Sequence, residues 1–140
     1  MTMSPSTPSI ERIRPAAQRL GAEIGARLIV VFGSAARHHP SPGDLDVGIL
    51  TDQPLDAVAV TNRLIQALGV QAIDVTDLRR ADPLLLALVA RDGIPVYEAG
   101  AGAFATFVSL AARRFADTRK FRDAERREVR AFIATDRGPG

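Results

Sequence analysis

Asp44 and Asp46 stand one residue apart in the segment DLDVGIL, and they are the residues best placed to do chemistry. Side chains alternate faces along a β-strand, so these two carboxylates share one face while Leu45, Val47 and Ile49 take the other. Two carboxylates one strand pitch apart repel each other unless positive charge lies between them. A hard divalent cation, Mg²⁺ or Mn²⁺, takes oxygen ligands, relieves that repulsion and can be shared with nucleotide phosphates. A third acid, Asp74, lies within the apolar run Val70, Ala72, Ile73 and Val75, and it joins the other two if that strand pairs beside theirs. Asp77 competes for the same role. Asp74 is preferred because it sits within the strand, whereas Asp77 lies at its exit. The plainer alternative is that Asp44 and Asp46 are exposed strand-end acids and that Asp74 caps a turn.

Just before this pair comes Leu28, Ile29, Val30, Val31 and Phe32, a β-branched and aromatic run expected to form a strand buried on both faces. It ends at Gly33, where the backbone can turn sharply and another group can approach closely. Ser34 follows with a hydroxyl that can cap the short Ala35, Ala36, Arg37 segment if that segment is helical. Amides exposed at such a turn favour a phosphate oxygen, and Arg37 is placed to contact one. His38 and His39 lie in a proline-rich loop with no partnering ligand pattern, and are expected to be loop residues.

A Gly-Ser pair, a loop, Asp-x-Asp on a strand and a lone aspartate on a later strand together resemble the DNA polymerase β-type nucleotidyltransferase superfamily. The FGSAAR, DLDVGIL, IDVTDL and ARDGIPVYE segments, across residues 28–98, are similar to its minimal nucleotidyltransferases, which are often antitoxins encoded beside a HEPN-type toxin. Two positions depart from that pattern: His38 stands where glycine is common after the arginine, and Gly43 where serine is common before the first aspartate. Neither is a metal ligand. The resemblance implies a small mixed α/β sheet of about four strands covered by helices. It also implies two Mg²⁺ ions, with Mn²⁺ as a substitute, on Asp44, Asp46 and Asp74. ATP would be the substrate, with Gly33, Ser34 and Arg37 at its phosphates. A HEPN-type toxin would be the partner.

These residues need a scaffold, and the chain is long enough for one. Its 140 residues with 46% hydrophobic content suit a single domain with a real core. The absence of cysteine excludes a disulfide framework and a thiolate nucleophile, and fits a reducing, cytoplasmic setting. No run reaches the roughly 18–20 apolar residues that span a bilayer, and the first residues lack the basic start and apolar stretch of a signal peptide. Charge is uneven: residues 101–140 hold nine Lys and Arg against five Asp and Glu, while residues 1–100 hold nine against eleven. That basic end could face an acidic protein or RNA, or could be a solvated helix face. One Tyr, six Phe and no Trp make no aromatic platform for bases, so direct nucleic-acid binding is weakly supported.

Polar tails are expected at 1–9 and 135–140, with a single domain over 10–134. Ile10, Ile13, Ala17, Leu20 and Ile24 recur at helical spacing after Ser9, with Gly25 as the stop; Pro15 either kinks this helix or marks a start near Arg14. Asp52 and Pro54 read as the start of a second helix, with Leu55, Val58, Ala59, Leu64, Ile65 and Leu68 on its apolar side and Gly69 at its end. A helix between two strands suggests a crossover. Asp82 and Pro83 open a third helix that stops at Gly93. Ile94 to Tyr97 is a short strand whose Pro95 favours an edge. From Gly102 to about Ala134 the pattern is helical. Phe104, Phe107 and Phe121 do not share one narrow stripe, so this segment is expected to meet a partner.

The leading expectation is transfer of AMP from ATP to a hydroxyl, with tyrosine of a HEPN-type toxin as the implied acceptor. The rivals are an antitoxin that acts by contact alone and a small-molecule transferase of the aminoglycoside type. The last is disfavoured because nothing after Tyr97 supplies an acidic pocket.

Overall fold

A computed structural model describes residues 8–33 and 44–136. Within it α1 spans Ile10–Ile24, β1 Ala26–Phe32, β2 Asp44–Thr51, α2 Ala57–Leu68 and β3 Ala72–Asp77. There follow α3 at Pro83–Asp92, β4 at Ile94–Glu98, α4 at Ala103–Asp117 and α5 at Arg119–Asp136. The sheet order is β3-β2-β1-β4, so the apolar run predicted as a doubly buried strand lies inside the sheet. Most of the tails predicted at 1–9 and 135–140 lie outside the described residues.

β1 pairs antiparallel with both β2 and β4, while β2 and β3 are parallel. The parallel pair with α2 between its strands is the crossover the sequence predicted. β4 is an edge strand, as Pro95 favours, and its register against β1 skips one residue between Tyr97 and Pro95. That bulge falls beside the proline, whose missing N–H cannot extend the ladder.

Alternation along β1 divides the core into two layers. Ile29 and Val31, with Leu45, Val47 and Ile49 of β2, pack under Ile13, Ala17 and Leu20 of α1 and Val60, Leu64 and Leu68 of α2. Leu28 and Val30 face the other way, against Leu86 and Val89 of α3 and Phe107 and Ala111 of α4. Each fully buried aliphatic side chain contributes about 1.5–3 kcal/mol relative to exposure. The sheet's rigidity therefore comes from both faces.

α1 starts at Ile10, capped by Ser9, whose hydroxyl accepts from Arg12 N at 3.3 Å. It runs through Pro15, so the alternative start near Arg14 is corrected; the upstream cap and the buried Ile13 hold the first turn. Within α1, Gly21 lies so close to the Tyr97 ring that a Cβ would overlap it. Tyr97 thus packs α1 onto the edge strand.

α2 begins later than predicted. Asp56 caps it by accepting from Ala59 N at 3.1 Å, while Asp52 instead pairs with Arg27 at 2.8 Å. The buried face of α2 is Val60, Leu64 and Leu68, and Val58, expected on the apolar side, is 73% exposed. Arg79 donates Nη1–H to the Asp52 carbonyl at 2.8 Å and holds the β2–α2 loop. α3 follows the prediction, with Asp82 accepting from Leu85 N at 2.8 Å, Pro83 in the first turn and Gly93 at the end.

The expected C-terminal helical segment is two helices. At Thr118 the N–H and the hydroxyl both donate to the Phe115 carbonyl, at 3.2 and 2.7 Å, in place of a continued helical ladder. Arg122 reinforces the break by donating Nη2–H to the same carbonyl at 3.2 Å and stacking its guanidinium 3.9 Å from the Phe115 ring centre. Among the described residues no helix is long and apolar enough to cross a membrane.

Candidate active site

In the parallel ladder Asp46 stands directly opposite Asp74, flanked by Leu45 opposite Ile73 and Val47 opposite Val75. Residues opposite each other in a ladder share a face, and adjacent strands lie ~4.8 Å apart. Asp46 and Asp74 are therefore neighbouring carboxylates on the face turned away from Leu45, Val47 and Ile49. Asp46 is half-buried and Asp74 is exposed, so the pair opens to solvent. Asp44 opens β2 opposite Ala72, and only its backbone belongs to the described part.

Asp77 is different. It stands opposite Ile49, on the other face of the sheet, and its Oδ1 accepts from Arg79 N at 3.0 Å. That makes it the cap of the turn after β3, and leaves Asp74 as the aspartate that β3 brings to Asp46.

Gly33 closes the other side. Phe32, the last residue of β1, pairs with Asp46, and the next residue turns away with φ of 74°. A Cβ on Gly33 would overlap Oδ2 of Asp46. Both the left-handed backbone and the close approach call for glycine here. Ser34, Arg37, His38, His39 and Gly43 lie outside the described residues.

ARDGIPVYE carries part of the resemblance without a role for its arginine or first acid; pairing of Ile94 with Val31 brings Arg91 and Asp92, at the close of α3, towards the end of β1. Arg91 donates from Nε and Nη2 to Asp92 at 3.1 and 3.0 Å, and those hydrogen bonds raise the guanidinium pKa above its ordinary value. An Arg-Asp-Gly closing a helix just before a strand is the signal that could have placed this pair near the Gly33 turn.

Chemically, Asp46 and Asp74 supply hard oxygen donors side by side, which fits a divalent cation and disfavours a soft metal. Among the described residues no group of three His, Cys, Asp or Glu stands close enough to hold a metal ion. A groove of about 420 Å³ between α1 and α2 lies on the opposite face of the sheet. Two of its three arginines join the helices: Arg12 donates to the Leu68 carbonyl at 3.0 Å, and Arg63 pairs with Glu23.

No protein-family model matches the chain. No curated protein matches it either. Solved structures do. A chain of a toxin–antitoxin complex with AMP-PNP superposes with a TM-score of 0.72 at 21% identity, covering 87% of this chain and 98% of that one. A chain of the MntA–HepT toxin–antitoxin complex gives 0.65 at 22% identity over 86% and 95%. A chain of the complex of tri-AMPylated Shewanella oneidensis HEPN toxin with MNT antitoxin gives 0.66 at 22% identity over 86% and 94%. The four-stranded mixed sheet that sets Asp46 beside Asp74 is thus the fold found in complexes of MNT antitoxin with HEPN toxin.

Proposed function

We propose that this protein is a nucleotidyltransferase antitoxin that moves AMP from ATP onto a hydroxyl, that of a tyrosine, of a cognate HEPN-type toxin and so silences it. The observation that carries the reading is the Asp46–Asp74 pair in the β2–β3 ladder, with Gly33 against the Asp46 carboxylate. The similar complexes support it, since one holds AMP-PNP and one holds a tri-AMPylated toxin. Another was solved with two Asp→Glu substitutions two positions apart, the spacing of Asp44 and Asp46. A fourth carries a Tyr→Ala substitution.

Asp44, Asp46 and Asp74 would hold Mg²⁺, which when bound neutralises the charge of the triphosphate and lowers the pKa of the acceptor hydroxyl. Asp74, the exposed member, takes the proton of that hydroxyl. The hydroxyl oxygen bonds to the α-phosphorus, the bond to the bridging oxygen breaks, and pyrophosphate leaves with the electron pair. Gly33 and Ser34 at the turn cradle the β and γ phosphates, and Arg37 pairs with them. Positioning and charge neutralisation supply most of the acceleration in such a transfer. The setting is the cytoplasm, where ATP and Mg²⁺ are both at hand.

An antitoxin acting by contact alone is the second reading, favoured by the unburied α5. ATP labelled on the α-phosphate, incubated with toxin, Mg²⁺ and this protein, separates the two. Label on the toxin from the α- but not the γ-position is the expected result. Full neutralisation of the toxin without label would replace the enzyme reading by the contact reading.

A further inference from the structure

α5 runs from Arg119 to Asp136, yet none of its described side chains is buried. Phe121, Val129, Phe132 and Ile133 are exposed by 73%, 57%, 72% and 45%. Their spacing puts them on one side of the helix. An isolated helix of this length is marginal in water and normally draws its stability from packing an apolar face. Its direction is nevertheless set, because Thr118 and Arg122 both bond the Phe115 carbonyl and Arg122 stacks on the Phe115 ring. An arm held at a defined elbow, with its apolar face bare, is shaped for something outside its own domain.

The charges say what kind of surface. Residues 119–133 carry six Lys and Arg against three Asp and Glu, and Arg122, Arg126 and Arg130 border the side that bears Val129 and Ile133. A second copy of α5 would bring like charge to like charge. A bilayer is a poor match because Glu125, four residues from both Phe121 and Val129, lies within the apolar stripe itself. A protein groove rimmed with carboxylates satisfies both the apolar stripe and the arginines.

We infer that α5 is a docking arm whose Phe121, Val129 and Phe132 face seats in an apolar, acid-rimmed groove on the protein that accepts the nucleotide. The inference rests on the proposed transfer and names the surface that performs its recognition step. It also accounts for specificity: the Asp46–Asp74 pair is open to solvent, so selection of the acceptor falls to a surface away from the chemistry.

The test uses the full chain, the purified HEPN-type toxin, and the variants Phe121→Arg with Phe132→Arg and, separately, Arg126→Glu with Arg130→Glu. All four positions are exposed, so circular dichroism and AMP-PNP binding should match wild type. The expected result is a Kd for toxin raised about 100-fold in the first variant, and a weaker salt dependence of association in the second. In the transfer reaction KM for toxin should rise while kcat is kept. An unchanged Kd in the folded first variant overturns the docking face and leaves the transfer reading standing. A wild type that binds no toxin removes both. Self-association abolished by the same substitutions would make the occupant a second copy, and selective binding to phosphatidylserine vesicles would make it lipid; either overturns the inference.

Discussion

The sheet around Asp46 and the arm at α5 obey opposite rules. In the sheet, β1 is closed on both faces, and buried side chains fix the register that carries the carboxylates: Leu45 against Ile73 and Val47 against Val75 set Asp46 opposite Asp74. In the arm, no described side chain is buried and the direction depends on one carbonyl, that of Phe115. On the proposed reading, burial positions the chemistry while exposure reserves the recognition. Substitutions in the first region should therefore act on a single chain, and substitutions in the second only when a partner is present.

The largest effect should come from the carboxylates. Asp46→Asn should lower AMP transfer about 10³-fold or more, while the circular dichroism spectrum stays that of wild type. Mg²⁺ should raise the wild-type Tm and leave the variant's unchanged, read by calorimetry. A Tm that collapses in Asp46→Asn would mean that the site and the scaffold are not separable.

Next comes the core. Leu28→Ala, at a fully buried position, should cost about 2–5 kcal/mol in urea unfolding. Gly33→Ala should cost on the order of 1–3 kcal/mol through its left-handed backbone, and should also impair transfer because a Cβ there displaces the Asp46 carboxylate. A stable and fully active Gly33→Ala would break the link between the turn and the acid pair. Smallest is Phe132→Ala on the arm, expected within about 0.5 kcal/mol for the free chain. A loss as large as that of Leu28→Ala would show α5 to be part of the core and erase the contrast.

How far this was legible in the sequence follows the same division. Leu28 to Phe32 read as a doubly buried strand because only an interior strand tolerates apolar residues on both faces, and Asp82-Pro83 and Gly93 bounded α3 by local backbone chemistry alone. Asp74 was preferred to Asp77 for lying within the strand rather than at its exit, and the ladder adds that the two stand on opposite faces. The start of α2 was misread because Asp52 and Asp56 are both good caps. What decides between them is Arg27, distant in sequence, which takes Asp52 as its ion-pair partner. The break at Thr118 was missed for a related reason: neither glycine nor proline marks it, and it depends on Arg122 folding back onto Phe115. Arg91 and Asp92 were quoted in ARDGIPVYE but given no role, because their place near the end of β1 appears only once β4 is paired with β1.

The most direct test of the central claim is intact mass spectrometry of the toxin after incubation with ATP, Mg²⁺ and either wild type or Asp44→Asn with Asp46→Asn. One or more AMP units gained with wild type alone is the predicted result. An unmodified toxin held equally tightly by both proteins would contradict it, and would leave Asp46 and Asp74 as a feature of the fold without a reaction.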